Sequence, residues 1–273
     1  MSPLEKASET GLLFAKQSEK AHKKKLGQYF TSSLVAKFMA SLVDEIPGKR
    51  LRICDPGAGH GILSCALVER LVNLGAEEIF IDVFEVDKTI LSLLESNLTY
   101  LREFYSKQSI VIKFRVFNEN FLIWANKNYL ELRESYDYVI SNPPYFKLNK
   151  GDENIQAVSF LLEGVTNIYA GFIAMGIKLT KISGETIFIV PRSFSSGLYF
   201  KKLRQFFFRE TRLKHVHLFQ SRTEAFKEDK VLQETLIFKA NNREGVRTKI
   251  TTSEGIKDLG FTCKSFNYNI SEL

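Results

Sequence analysis

An α/β fold, a mostly parallel sheet with helices on both faces, is what this sequence predicts, and three observations carry the prediction. Strand-like and helical patterns alternate along the chain. A glycine-rich turn closes the first strand pattern and opens the first long helical one. With 273 residues, 44% of them hydrophobic, the chain is long enough to bury one large core, or one domain with a small appendage. Alternation of this kind packs helices against both faces of a sheet.

Taken in order, residues 1–25 read as an N-terminal basic arm or helix, ending in the cluster Lys20, His22, Lys23, Lys24 and Lys25. A run like that also suits a flexible terminal arm. Residues 50–54 give the first strand, Asp55-Pro56-Gly57-Ala58-Gly59-His60-Gly61 the turn, and 62–74 the helix, closed by Gly75. A second strand is predicted over 79–84, with Glu85, Val86 and Asp87 just past it. A helix over 88–104 and strands over 109–117 and 136–141 come next. The spacing then predicts a helix over 155–182, a strand over 185–190, a helix over 197–210, and strands over 214–219 and 231–239 joined by a loop that holds Phe226. Residues 241–273 read as an extra hairpin or the start of a second domain.

The chemistry concentrates in two of these segments. Asn142-Pro143-Pro144-Tyr145 follows directly on the strand pattern from Tyr136 to Ile140. Two consecutive prolines fix φ and remove two backbone donors, so the Asn142 side chain and the Pro143 carbonyl can be held side by side as acceptors. Both could receive hydrogen bonds from one planar NH2, while Tyr145 packs on an aromatic ring face. Alone, the stretch would also fit a plain Pro-Pro turn. The glycine turn lacks the Lys-Ser/Thr ending of a phosphate-cradling loop and is not a clean G-x-G-x-x-G, which favours a cofactor with a cationic or zwitterionic end over a dinucleotide. Asp55 can face such an end, and Glu85 can accept both hydroxyls of a ribose. Either acid alone would fit a solvated strand end.

In this order, the two segments resemble the S-adenosylmethionine-dependent amino-methyltransferases, most closely the gamma class of DNA N6-adenine methyltransferases of restriction-modification systems. Gly27-Gln28-Tyr29-Phe30-Thr31 looks like that class's N-terminal cofactor motif. Asn120-Phe121-Leu122 falls where the class has Asp-Phe-Leu, so Asn120 is a departure; its carbonyl can still accept from the cofactor's adenine amino group, with Phe121 against the ring. Asn167-Ile168-Tyr169, the helix from Ala170 to Leu179 and the strand from Gly184 to Pro191 resemble the segment behind the active site. Ala225-Phe226-Lys227 resembles the loop whose aromatic residue stacks on the extruded base. Phe226 would also fit an ordinary core position among 23 phenylalanines, but its charged neighbours favour a loop tip.

The resemblance implies a Rossmann-like class I methyltransferase fold, a mostly parallel seven-stranded sheet with an antiparallel edge hairpin, and a catalytic domain over 26–240. It implies S-adenosyl-L-methionine as cofactor, held by Gln28, Tyr29, Phe30 and Thr31, by Asp55, Pro56, Gly57, Ala58, Gly59 and Gly61, by Glu85 and Val86, and by Asn120, Phe121 and Asn142. Asn142, Pro143, Pro144 and Tyr145 are then the catalytic element, Tyr145, Phe226 and Lys227 meet the target base, and no metal is involved. The expected reaction is direct methyl transfer to the amino nitrogen of an adenine flipped out of double-stranded DNA. Family members continue into a target-recognition domain, and some thirty residues past Ala240 are too few for one. A catalytic fragment or split enzyme is therefore expected, with a separate or missing recognition module and a cognate restriction nuclease as partners. Two alternatives stand beside this reading: another amine or amide acceptor, such as an rRNA adenine or a protein glutamine, and a degenerate fold that only binds nucleic acid.

Composition agrees. The net charge of +7 suits a polyanion, and Lys201, Lys202, Arg204, Arg209, Arg212, Lys214 and Arg222 face a single acid, Glu210, within 201–222. That segment fits a phosphate-contacting rim or a solvated helix face. Cys54, Cys65 and Cys263 have neither C-x-x-C spacing nor an even count, which argues against a disulfide or zinc framework. With no run of about eighteen apolar residues and no signal-peptide layout, a cytoplasmic protein, nucleoid-associated when acting and without a membrane partner, is expected.

Overall fold

The computed structural model describes residues 1–17, 31–164, 167–219, 234–241, 247–259 and 264–269. The chain opens with helix α1 (Pro3–Gln17). Helix α2 (Ser33–Ser41) is capped by Ser32, whose hydroxyl accepts from the Val35 amide, and it buries Val35, Ala36, Met39 and Ala40, one stripe at helical spacing. Strand β1 (Arg50–Pro56), helix α3 (Ile62–Asn73), strand β2 (Glu78–Phe84), helix α4 (Leu91–Ser106) and strand β3 (Val111–Phe117) follow the predicted alternation. Two short helices, α5 (Phe121–Lys127) and α6 (Tyr129–Leu132), lead into β4 (Tyr136–Ser141).

The helix predicted over 155–182 is two helices, α7 (Glu153–Val158) and α8 (Ile168–Leu179), and its last residues already belong to strand β5 (Thr180–Pro191). Gly164 takes a left-handed φ of 72° between them, and Asn167 caps the second. Helix α8 is apolar around its whole circumference and is buried nearly throughout, which erases the one-sided periodicity that marks helix ends. Helix α9 (Lys201–Glu210), strand β6 (Arg212–Phe219), strand β7 (Thr235–Asn241), strand β8 (Arg247–Ser253) and strand β9 (Lys264–Asn269) complete the described elements.

Among the described residues these strands form one nine-stranded sheet, in the order β3-β2-β1-β4-β5-β7-β6-β8-β9. From β3 to β5 every pairing is parallel, and β7 runs antiparallel to both β5 and β6. The predicted seven strands and edge position of the β6–β7 pair need correction. Strand β8 adds in parallel beside β6, and β9 pairs antiparallel to β8. An exposed β6 edge would leave a row of unpaired backbone groups. Side chains reinforce the junction: His217 bonds Thr251 Oγ1 at 2.8 Å and Ser253 Oγ at 3.0 Å, and His215 bonds Thr251 Oγ1 at 2.8 Å. Burial holds both imidazoles near a pKa of about 4, so they remain neutral.

Alternate residues of the inner strands feed two apolar clusters. In β5, Ile187 and Ile189 join the cluster that includes α1 to α4, while Phe188 and Val190 join the one built with α5, α7, α8 and α9. Buried Lys239 of β7 ties the loop after α2 onto the sheet, donating to the Leu42 carbonyl and to Asp44 Oδ2 at 2.8 Å, with Glu185 Oε1 at 3.4 Å. Helix α1 packs on α3 and α4, and Asn97 of α4 passes that support to the glycine turn by donating to the His60 carbonyl at 2.8 Å.

Candidate functional site

Parallel pairing of β1 with β4, Ile53 opposite Tyr138 and Cys54 opposite Val139, delivers the glycine turn and Asn142-Pro143-Pro144-Tyr145 to the same carboxyl edge. The Ser141 hydroxyl donates to the Pro56 carbonyl at 2.6 Å and ties the two strand ends together. A Cβ built on Gly57 would lie 3.9 Å from Pro144 Cδ and 3.6 Å from Phe172 Cε1, so the turn and the Pro-Pro element are neighbours.

The turn needs its glycines. Gly57, Gly59 and Gly61 adopt φ of 75°, 57° and 84°, a region costly for residues with a Cβ. This path lets the Gly57 and Ala58 amides both donate to the Phe84 carbonyl at 2.9 Å, pinning the turn to the end of β2. There Glu85 is buried, accepting the Gly59 amide at 2.9 Å on Oε2 and the Asp87 amide at 2.8 Å on Oε1. Burial raises its pKa against these donors. Next to it Val86 is 50% exposed, an apolar surface at the sheet edge.

Asp55 is fully buried. Its Oδ2 accepts the Ser64 hydroxyl at 2.7 Å, and Oδ1 has no hydrogen-bond partner among the described residues. Burial pushes the carboxyl up to about 7, opposed by the Ser64 bonds and assisted by the nearby charge of Glu85. A buried acceptor with no donor is costly, and a ligand cation brought to Oδ1 would remove the cost. A cation at Asp55, a diol at Glu85 and a flat ring at Val86 are what these residues can hold.

At the end of β4, Asn142 is held from both sides. Its Nδ2 donates to Thr31 Oγ1 at 3.1 Å, and its Oδ1 accepts the Tyr145 hydroxyl at 2.6 Å. That hydroxyl also lies 2.9 Å from the Ile189 carbonyl of β5. Thr31 on the nitrogen and Tyr145 on the oxygen fix the orientation of the amide, and a carboxamide oxygen carries two lone pairs. The Tyr145 ring meets Tyr169 edge to face, centroids 6.2 Å apart.

Asn120 caps α5, its Oδ1 accepting the amides of Leu122 at 3.0 Å and Ile123 at 3.4 Å while Nδ2 donates to Asn154. Phe121 is buried against Phe84 and Phe172. Gln28, Tyr29, Phe30, Phe226 and Lys227 lie outside the described residues. Sequence reading missed Ser64 and Ser141. Each is a small hydroxyl in an otherwise apolar stretch, a signal that stands out only beside the acid or carbonyl it meets. Among the described residues no cluster of three or more His, Cys, Asp or Glu could hold a metal ion, and no helix is long and apolar enough to cross a membrane.

Comparison with solved structures places the fold. A class I S-adenosylmethionine-dependent methyltransferase from Listeria monocytogenes superposes with a TM-score of 0.71 at 20% identity, covering 94% of this chain and 75% of that one. The type IIG restriction endonuclease BpuSI matches with a TM-score of 0.62 at 16% identity, over 93% of this chain and 31% of that one. In sequence, the chain is 30% identical over 262 residues to Type II methyltransferase M.BsuBI of Bacillus subtilis, which covers 92% of this chain and 50% of that protein. It is 33% identical over 230 residues to Type II methyltransferase M.PstI of Providencia stuartii, covering 83% and 45%. The chain thus spans about half the length of the curated relatives it matches. Residues 62–226 match the Eco57I restriction-modification methylase family, a stretch that begins where the glycine turn ends and contains Asn142 to Tyr145. On fold, motif order and sequence together, the chain belongs to the Eco57I restriction-modification methylase family.

Proposed function

We propose that this chain is the catalytic part of a restriction-modification DNA methyltransferase that methylates the N6 amino group of an adenine extruded from double-stranded DNA. The observation that carries the reading is the Asn142 carboxamide, oriented by Thr31 and Tyr145 and joined through Ser141 and Pro56 to a glycine turn with two buried carboxylates. Asp55, Glu85 and Val86 fit the charged amino acid end, the ribose hydroxyls and the adenine of S-adenosylmethionine in turn. When bound, that cofactor supplies an electrophilic methyl group on a sulfonium centre.

The residues of the chain then do the remaining work. Asn142 Oδ1 accepts a hydrogen from the target amine and draws its lone pair out of the ring, with the Pro143 carbonyl as the second acceptor. With the cofactor bound, the methyl would pass to that nitrogen while the sulfur keeps the bonding pair, and the surplus amino proton would leave to solvent. Tyr145 keeps the carboxamide oxygen aimed, which lowers the reorganisation needed in the transition state. Phe226 is the proposed stacking partner of the base, with Lys227 beside it. A recognition module and a restriction nuclease, on the same polypeptide or on separate chains, are the partners that go with this reading. The names of M.BsuBI and M.PstI support the restriction-modification assignment.

The test combines calorimetric titration of S-adenosylmethionine with transfer of labelled methyl to DNA, rRNA and protein. Binding followed by label in DNA N6-methyladenine is the expected result; label in another acceptor overturns the substrate assignment. Asn142→Ala should lower transfer on the order of a hundred-fold or more while cofactor affinity is preserved. Near-normal turnover in that variant removes Asn142 from the chemistry.

A further inference from the structure

Between β5 and α9 the chain makes a turn, residues 196–199, that presents its apolar side chains outward. Leu198 is 87% exposed and Tyr199 54%. Isolated exposed apolar residues are ordinary on a protein surface. This turn is different because it is built. The Arg204 guanidinium donates to the carbonyls of Phe194 at 3.1 Å, Ser196 at 3.0 Å and Gly197, drawing three peptide units around one side chain. Gly197 takes a left-handed φ of 73°, and the Lys201 amide closes the turn on the Leu198 carbonyl at 3.1 Å.

Its position relates it to the site. The turn follows the end of β5, whose Ile189 carbonyl contacts the Tyr145 hydroxyl. A chain of rings runs inward from it: Tyr199 meets Phe200 with centroids 4.7 Å apart, Phe200 meets Tyr169 at 5.3 Å, and Tyr169 meets Tyr145 at 6.2 Å. Around it the charge has one sign along the sequence, since residues 192–209 hold Arg192, Lys201, Lys202, Arg204 and Arg209 and no acid. Glu210, next in the chain, takes Arg209 at 2.8 Å, while the acids from other segments are looser, Glu163 at 3.6 Å from Lys202 and Glu234 at 3.7 Å from Arg192. Such exposed pairs are weak and phosphates compete with them readily.

We propose that this turn is a wedge for duplex DNA: Leu198 enters the base stack, Tyr199 stacks on a flanking base, and Lys201 and Lys202 meet the adjoining phosphates. The inference rests on the duplex-adenine reading above and extends it by naming the element that holds the gap left by the extruded base. Apolar side chains inserted between base steps are a known physical means of unstacking a duplex, and a rigid turn loses little entropy on insertion.

The test starts from unmethylated genomic DNA and labelled S-adenosylmethionine, with sequencing of the products to identify the target adenine. The double variant Leu198→Ala, Tyr199→Ala should then lose on the order of ten- to a hundred-fold of its transfer rate on the paired duplex, the range expected for lost stacking. An abasic site opposite the target adenine should restore most of that loss, and cofactor affinity should stay unchanged. Equal loss on paired and abasic duplexes overturns the wedge, as does wild-type transfer by the variant. If the variant keeps wild-type transfer but changes sedimentation, the turn belongs to a contact with a second protein copy and the wedge is likewise overturned. A wild-type chain that binds the cofactor and labels rRNA or protein but no DNA overturns the duplex reading, and the wedge with it.

Discussion

Asp55 is a carboxyl whose charge the fold only half tolerates at neutral pH. Burial raises its pKa from the ordinary 3.8 to about 7, so the folded chain keeps a proton that the unfolded chain has released. The stability this group contributes is therefore full below about pH 4 and is lost as pH rises through about 7. A cation facing Oδ1 favours the ionised form and reverses the preference. S-adenosylmethionine should thus bind more tightly as pH rises from about 6 to about 8, with proton release on binding that calorimetry in buffers of different ionisation heat detects. Glu85, also raised by burial, adds in the same direction, whereas His60, held near about 4, stays neutral throughout. Asp55→Asn should flatten most of the pH dependence; an affinity independent of pH in the wild type removes the cation from Asp55. Asn142 is set in a neutral way, because Thr31 on its nitrogen and Tyr145 on its oxygen fix the orientation of the amide.

Helix α1 joins the site through the glycine turn it supports. Gly11 lies against the His60 ring, and a Cβ there would come within 2.5 Å of Nε2. The Thr10 hydroxyl meets Asn97 Oδ1 at 3.1 Å, the same Asn97 whose amide holds the His60 carbonyl. Gly11→Ala must push either the helix or the histidine, and overpacking of this kind costs about 1–3 kcal/mol. Thermal unfolding should report that loss, and cofactor affinity should fall with it because the ring belongs to the turn. A variant as stable as wild type with unchanged affinity separates α1 from the site. The break between α7 and α8 is a similar element-scale effect. A glycine in the left-handed region and an asparagine cap divide what reads as one long apolar run, and the cap lets the Ile168 amide reach the Phe146 carbonyl just past the Pro-Pro element.

Across the whole molecule the charge of +7 meets a sheet whose parallel part carries its chemistry at one edge. Duplex affinity should fall linearly on a log–log plot against salt, with a slope of about −0.9 for each phosphate neutralised. Replacing Lys201 and Lys202 by Gln should reduce the slope by about two; an unchanged slope locates the phosphates elsewhere. The strand, glycine turn and helix from Arg50 to Asn73, the acids past β2 and the Asn-Pro-Pro-Tyr stretch after β4 were legible in the sequence, because each rests on φ limits, side-chain periodicity and neighbouring residue types. Those are local properties. The parallel docking of β8 on β6, the bond from Ser141 to Pro56, the lone oxygen of Asp55 and the ring path from Tyr145 to Tyr199 were decided by tertiary structure. Each depends on residues far apart in the chain meeting at a particular register, and the free energy that selects the register is the burial of the two apolar faces together, which no single segment contains.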